Sequence, residues 1–113
     1  MNIQIFGTKK SAETRKADRY FKERGIKVQA VDLKEKGLSK GELNSVIQAV
    51  GSLEALIDEN TKDQKTYLLI KYLAPEDRFE KVLENPQVLK QPIVRNGHKA
   101  TVGYQPDVWK TWE

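Results

Sequence analysis

A short stretch near the start of the chain, GTKKSAETRKA at residues 7–17, places the hydroxyl of Ser11 among several cations. Ser11 is preceded by Lys9 and Lys10 and followed by Arg15. If a helix begins at Ser11, its first backbone N–H groups and the positive end of its dipole stabilise an anion at the same place. The stretch therefore predicts an anion-holding site, although a lysine pair is also typical of a solvated loop.

Taken by itself, Ser11 has two interpretations. Serine catalysis needs an adjacent general base, and the single histidine, His98, falls in a predicted hairpin with no evident reason to approach Ser11. Serine is also a favoured N-cap residue, which contributes about 0.5–2 kcal/mol over alanine.

The composition excludes several kinds of site. The 113 residues include no cysteine, so disulfides, thiolate metal sites and thiol catalysis are excluded, and with one histidine we expect no metal site. The 20 basic and 16 acidic residues are interleaved along the chain. This pattern is typical of a solvated mixed-charge surface and makes nucleic acid an unlikely partner.

The chain has neither a long apolar run nor the residue order of a signal peptide. We therefore expect a cytoplasmic protein with no membrane partner. Its length predicts a single domain over residues 1–113.

The first third of the chain predicts a strand, a helix and a second strand. Residues 2–6 alternate apolar and polar side chains, a helical pattern begins at Ser11 or Ala12 and ends at Gly25, and residues 26–32 alternate again. This spacing fits a parallel βαβ unit.

The middle of the chain is predicted to be mainly helical. Ser39 and Glu42 form a capping-box pattern at the start of a helix that ends before Gly51. Residues 52–58 predict a short helix or turn, residues 58–66 a loop, and residues 67–74 a helix, with a further helix starting at Pro75.

The last third predicts a β-hairpin and a closing helix. Asn96-Gly97 is a strong hairpin signal, and Pro106 opens a helix that Trp109 and Trp112 are expected to pin to the sheet. The whole order predicts an α/β, thioredoxin-like fold: a four-stranded mixed sheet with an inserted helical segment at about residues 39–85.

Four stretches carry a resemblance to a known family: SAETRKA, VDLKEKGLSKGEL, LENPQVLKQPIVRNG and VGYQPDVWKTW. With them the chain resembles the arsenate reductase and Spx-like branch of the thioredoxin-fold proteins over essentially its whole length. The family's nucleophilic cysteine matches Ser11, and the second cysteine of Spx-like members matches Thr14. Both cysteines are absent from this chain. The resemblance thus adds a third interpretation of Ser11, a natural or introduced replacement of a cysteine, which the sequence leaves open beside capping.

The resemblance also assigns positions across the site. An arginine that holds the oxyanion in arsenate reductases matches Gln91, and Pro92 matches the loop proline that commonly follows a cis peptide bond. Arg95 is close in sequence to the missing arginine and is expected across the site from Ser11. With Lys9, Lys10 and Arg15, these residues form the predicted anion and substrate site.

The resemblance implies two functions. The first is a protein of the oxyanion- or disulfide-reductase type, for which glutathione or glutaredoxin would supply electrons to a cysteine-containing form, and which is redox-inactive with Ser11. No cofactor is expected to be bound, and a small anion or glutathione is the expected ligand. The second is an Spx-like regulatory module that binds a protein partner such as an RNA polymerase subunit.

Overall fold

The computed structural model describes residues 1–112. Its strands are β1 (Ile3–Gly7), β2 (Val28–Asp32), β3 (Ile93–Asn96) and β4 (Lys99–Val102). Its helices are α1 (Ala12–Glu23), α2 (Lys40–Val50), α3 (Gln64–Tyr72), α4 (Pro75–Glu84) and α5 (Pro106–Trp109), with short 3₁₀ turns at Glu54–Leu56, Pro86–Val88 and Lys110–Trp112.

The four strands form one mixed sheet in the order β2-β1-β3-β4. β1 runs parallel to β2 and antiparallel to β3, and β3 and β4 form the hairpin predicted at Asn96-Gly97. The predicted four-stranded mixed sheet is therefore confirmed. Gly97 has a φ of 61°, the left-handed conformation that this turn requires and that glycine adopts without strain.

Alternation along β1 divides the core into two layers. Ile3 and Ile5 pack with Ala17, Phe21 and other residues of α1, and with Trp109 of α5. Phe6 faces the opposite side, where the larger cluster is formed with α2, α3 and α4. Trp109 is fully buried and donates from Nε1 to Thr101 Oγ1 at 2.8 Å, which pins the closing helix as expected.

The helices begin where the capping signals predict. Ser39 and Glu42 make both hydrogen bonds of a capping box at the start of α2. Pro75 is the first residue of α4, where a backbone N–H would have no partner within the helix, so proline loses no hydrogen bond there. The first turn also carries Glu76 and Asp77. The segment predicted to be helical, residues 39–85, contains α2, α3 and α4.

Several boundaries differ from the prediction, most clearly at the second strand and at the third helix. The second strand begins at Val28 and not at residue 26, because the N–H of Ile26 still bonds to the carbonyl of Phe21 and belongs to the end of α1. The loop predicted over residues 58–66 ends earlier, because Asp63 caps α3 by accepting from the N–H of Thr66. Within residues 1–112, no helix has the length and apolar character needed to cross a membrane.

Candidate functional site

Ser11 ends the loop between β1 and α1 and is the N-cap of α1. Its Oγ accepts a hydrogen bond of 3.2 Å from the N–H of Thr14, while its own N–H donates to the carbonyl of Thr8 at 3.1 Å. The N-cap interpretation of Ser11 is therefore confirmed. His98 is an exposed residue of the hairpin turn, and within residues 1–112 no carboxylate or imidazole is hydrogen-bonded to Ser11 Oγ.

Gln91 supplies the most specific contact of the loop. Its Oε1 accepts from the N–H of Thr8 at 2.7 Å and from Thr8 Oγ1 at 3.1 Å, and Thr14 Oγ1 lies 3.5 Å from the same oxygen. The N–H and the hydroxyl of Thr8 are thus already hydrogen-bonded to an oxygen of the chain itself. A ligand oxygen can take these donors only by displacing the Gln91 side chain.

Thr14 also explains the glycine at the end of β1. A Cβ added to Gly7 would lie 2.6 Å from Thr14 Cγ2, well inside van der Waals contact. The backbone of β1 therefore packs directly on the side chain of Thr14. The position matched to a second family cysteine is here a packing position between the strand and α1.

The three cations near Ser11, which are Lys9, Lys10 and Arg15, have different surroundings. Arg15 Nη1 donates to the carbonyl of Lys9 at 2.7 Å, so its guanidinium stabilises the backbone of the loop. Lys10 lines the groove beside Ser11, whereas Lys9 and Arg15 do not. Of these three cations, all predicted to bind an anion, only Lys10 lies in the groove with Ser11.

The groove beside Ser11 has a volume of about 950 Å³. Lys10, Lys34 and Lys62 contribute cations to its lining, and Asp58 and Asp63 contribute carboxylates. The remaining lining residues are Thr8, Ser11, Leu33, Asn60, Thr61, Pro86, Gln87, Leu89 and Gln91. The arrangement suits a ligand that carries charges of both signs.

The segment at residues 58–63 was missed by sequence reasoning, which identified it only as a polar loop. It is fixed opposite Ser11 by buried Thr61, whose Oγ1 donates to the carbonyl of Gln87 at 2.8 Å. The local signal was weak: Thr61 and Asp63 are typical loop residues, and their partner Gln87 is far away in sequence.

Asp63 is a carboxylate of the groove whose pKa is shifted from its ordinary value. Hydrogen bonds from Thr66, together with the 2.9 Å bond that Gln87 Nε2 donates to Oδ2, hold the pKa of Asp63 below its ordinary value. These bonds favour the charged form. Asp63 is therefore a fixed negative group of the groove, not a general base poised near neutral pH.

Pro92 lies next to Gln91 and is buried. The Gln91-Pro92 peptide bond is cis, and the carbonyl of Pro92 accepts from the N–H of Gly103 at 2.8 Å. The proline thus fixes the segment that carries Gln91 against β4.

Arg95 is not across the site from Ser11, contrary to the prediction. Its backbone pairs with Gln4, three positions before the end of β1, and its Nη1 donates to Gln4 Oε1 at 2.7 Å. Because Arg95 sits further along β3 and bonds towards α2 through Ser45 Oγ at 3.4 Å, it belongs to the opposite end of β1 from the loop.

A polar cluster surrounds Arg95 on that side of the sheet. Gln4 Nε2 donates to Glu42 Oε2 at 3.2 Å. Partial burial opposes ionisation of Glu42, but hydrogen bonds from Ser39 and Gln4 and the charge of Arg95 outweigh it and lower the pKa of Glu42. The cluster ties α2 to β1 and β3 and takes no part in the groove.

The family model described as the ArsC family matches residues 6–112. The chain is 29% identical over 109 residues to the global transcriptional regulator Spx 2 of Oceanobacillus iheyensis, an alignment that covers 95% of this chain and 80% of the relative.

Two solved structures show the same fold. An arsenate reductase from Vibrio cholerae has a TM-score of 0.80 at 23% identity and covers 96% of this chain and 94% of its own. An arsenate reductase related protein from Brucella melitensis has a TM-score of 0.65 at 22% identity and covers 99% and 94%. The thioredoxin-like fold predicted from the element order is confirmed.

Proposed function

The chain belongs to the ArsC family, and on this premise we propose that it is a redox-inactive member that binds ligands in the groove beside Ser11. The observation that carries the proposal is the state of the nucleophile position: Ser11 Oγ is a helix cap, and the chain has no sulfur nucleophile to put in its place. Thiol chemistry on an oxyanion or a disulfide needs a thiolate that forms the new bond to the substrate. This chain supplies none.

Gln91 supports the same proposal. A positively charged side chain at this position would attract an oxyanion, whereas Gln91 is neutral and its own oxygen accepts from Thr8. A small tetrahedral oxyanion therefore finds the donors of Thr8 already hydrogen-bonded within the chain. The groove favours a larger ligand that is held mainly by the charged side chains lining the groove.

Glutathione fits the lining of the groove in charge and size. Its two carboxylates complement Lys10, Lys34 and Lys62, and its ammonium complements Asp58 or Asp63. A volume of about 950 Å³ accommodates a tripeptide. We propose that the protein holds glutathione in the cytoplasm without turnover.

The test combines binding with a reductase assay. Calorimetric titration with reduced glutathione should give saturable binding, weakened about tenfold by Lys10→Gln or Lys62→Gln, because each removes a charged contact to a carboxylate. Lys65→Gln is the matched control, since Lys65 is exposed on α3 and does not line the groove. Arsenate and a glutathione mixed disulfide should show no turnover. Turnover by the unmodified chain would contradict the proposal.

A second candidate function is an Spx-like module that binds a protein partner. The similarity to Spx 2 favours it, and α3 carries the exposed apolar side chains of Leu68, Leu69 and Tyr72. Spacings of three and four residues place them on one helix face, as expected for a protein contact.

One variant distinguishes the two candidate functions. Leu68→Glu should abolish capture of RNA polymerase if α3 is the docking face, and it should leave glutathione binding unchanged. Lys65→Gln again serves as the control on the same helix. Failure of the unmodified chain to bind RNA polymerase at micromolar concentration would remove the second candidate.

A further inference from the structure

A second cavity lies against the outer side of α1, and it shares no lining residue with the groove beside Ser11. Its volume is about 240 Å³. Lys16, Arg19, Arg24 and Lys110 contribute four cations to its lining, and Glu23 contributes the one carboxylate. The cavity is therefore strongly positive in a chain whose charges are otherwise interleaved.

The neighbouring ion pairs do not neutralise this charge. Lys16 pairs with Glu13 at 3.4 Å and Lys110 with Asp107 at 3.8 Å, and all four side chains are about half or more exposed, so solvent screens both pairs. Neither Arg19 nor Arg24 has a salt bridge in the described part of the chain. Two guanidinium groups are thus available to an anion.

Arg24 is held in place before any ligand arrives. Its guanidinium carbon lies 3.6 Å from the centroid of the Tyr20 ring, and its Nη1 donates to the carbonyl of Tyr20 at 3.0 Å. Stacking on a ring leaves the other N–H groups of the fork free at its edge. An arginine fixed in this way loses little side-chain entropy when it binds an oxyanion.

Tyr20 supplies the ring on which Arg24 stacks, and its hydroxyl is closed off from the cavity. The residue is 5% exposed and lines the cavity, and its Oη is buried with no hydrogen-bond partner among residues 1–112. Because this oxygen has almost no accessible surface, a ligand in the cavity reaches the stacked Arg24 and not the Tyr20 hydroxyl.

We propose that this cavity binds the phosphate group of a phosphate monoester, with Arg19 and Arg24 as its main ligands. A monoester carries about −1.5 to −2 charges near pH 7, opposite in sign to the excess of cations over Glu23 in the lining. The ring of Tyr104, 38% exposed at the rim, offers an apolar surface to the organic part of the ester.

The test is a titration with adenosine monophosphate, followed by amide chemical shifts at constant ionic strength. We expect saturable shifts in the second half of α1 and around Tyr104. Arg19→Gln should weaken binding about tenfold, because it removes a charge-assisted hydrogen bond. Lys22→Gln is the matched control: Lys22 lies on the same helix, pairs with Asp18 and does not line the cavity.

Further variants and ligands give the proposal several ways to fail. Tyr20→Phe keeps the ring under Arg24 and should leave binding unchanged, because the buried hydroxyl does not reach the ligand. Inorganic phosphate should compete with the nucleotide, and a DNA duplex, which has only diesters, should compete poorly. Equal losses from Arg19→Gln and Lys22→Gln, stronger competition by DNA, or shifts confined to the loop at residues 7–11 would each overturn it. Glutathione binding by Arg19→Gln should be normal, which separates this site from the proposed function.

Discussion

The backbone N–H of Thr8 donates a 2.7 Å hydrogen bond to the side-chain oxygen of Gln91, 83 positions later in the chain. Thr8 Oγ1 donates to the same oxygen at 3.1 Å. The two bonds join the loop before α1 to the segment before β3, so they hold Ser11 at the mouth of the groove.

Replacing Gln91 by leucine should destabilise the protein by about 1–3 kcal/mol, because the half-buried Thr8 N–H loses its acceptor. Gln91→Glu is the matched control, since a carboxylate still accepts from Thr8, and it should cost less than half as much. Urea unfolding measures both variants. Equal stability of Gln91→Leu and the unmodified chain would show that water replaces the Gln91 oxygen at no cost.

A thiol introduced by Ser11→Cys should have a pKa below the ordinary value of about 8.5, because the N-terminus of α1 and Lys10 stabilise the thiolate. Ser39→Cys places a thiol at the N-cap of α2, where the Glu42 carboxylate accepts from the Ser39 N–H at 2.8 Å and opposes a second negative charge. The rate of alkylation by iodoacetamide against pH reports each pKa. The midpoint for Ser11→Cys should be lower by about one pH unit or more. Coincident midpoints would contradict an anion-stabilising loop.

Gly7→Ala should destabilise the protein by about 1–3 kcal/mol, because the new methyl group overlaps the Thr14 side chain. Thr14→Ala removes the overlapping atoms, so the double variant should recover much of this loss. A double-mutant cycle by urea unfolding measures the coupling. Additive effects would show that the contact between the two residues does not explain the glycine.

The charge of Asp63 should stabilise the fold only above acidic pH. Its folded pKa is lowered by the hydrogen bonds from Thr66 and Gln87, so the stabilisation is present above the unfolded value of about 3.9 and is lost as pH falls through the lower folded pKa. Asp63→Asn can still cap α3 but carries no charge. Thermal unfolding should show the unmodified chain more stable at pH 6, with the difference closing as pH falls below the unfolded pKa. A constant difference across this range would rule out the charge as its cause.

Much of the fold could be predicted because its signals are local. The capping box of Ser39 and Glu42, the Asn96-Gly97 turn and the N-cap at Ser11 each depend on contacts between residues at most three apart. The alternation in β1 likewise reflects burial on two faces of one strand. Such features are encoded within a few neighbouring residues, so the sequence reveals them directly.

The composition of the candidate site could be predicted only in part. Ser11, Thr14 and Gln91 were assigned by resemblance and do lie together, joined through Thr8. Arg95 was assigned to the same place by its nearness in sequence to Gln91, and this was wrong. Each residue of a strand advances the chain by about 3.3 Å, so a few positions carry a side chain away from the loop at the strand end.

The sequence by itself determined which residues cap, turn and alternate, and that no cysteine is available for thiol chemistry. Only the tertiary structure decided that Gln91 accepts from Thr8, that Arg95 bonds to Gln4, and that the loop at residues 58–63 closes the groove opposite Ser11. The physical reason is the range of the interactions. Register between strands and contacts across more than 20 residues depend on how the whole core packs, and no single segment carries that information.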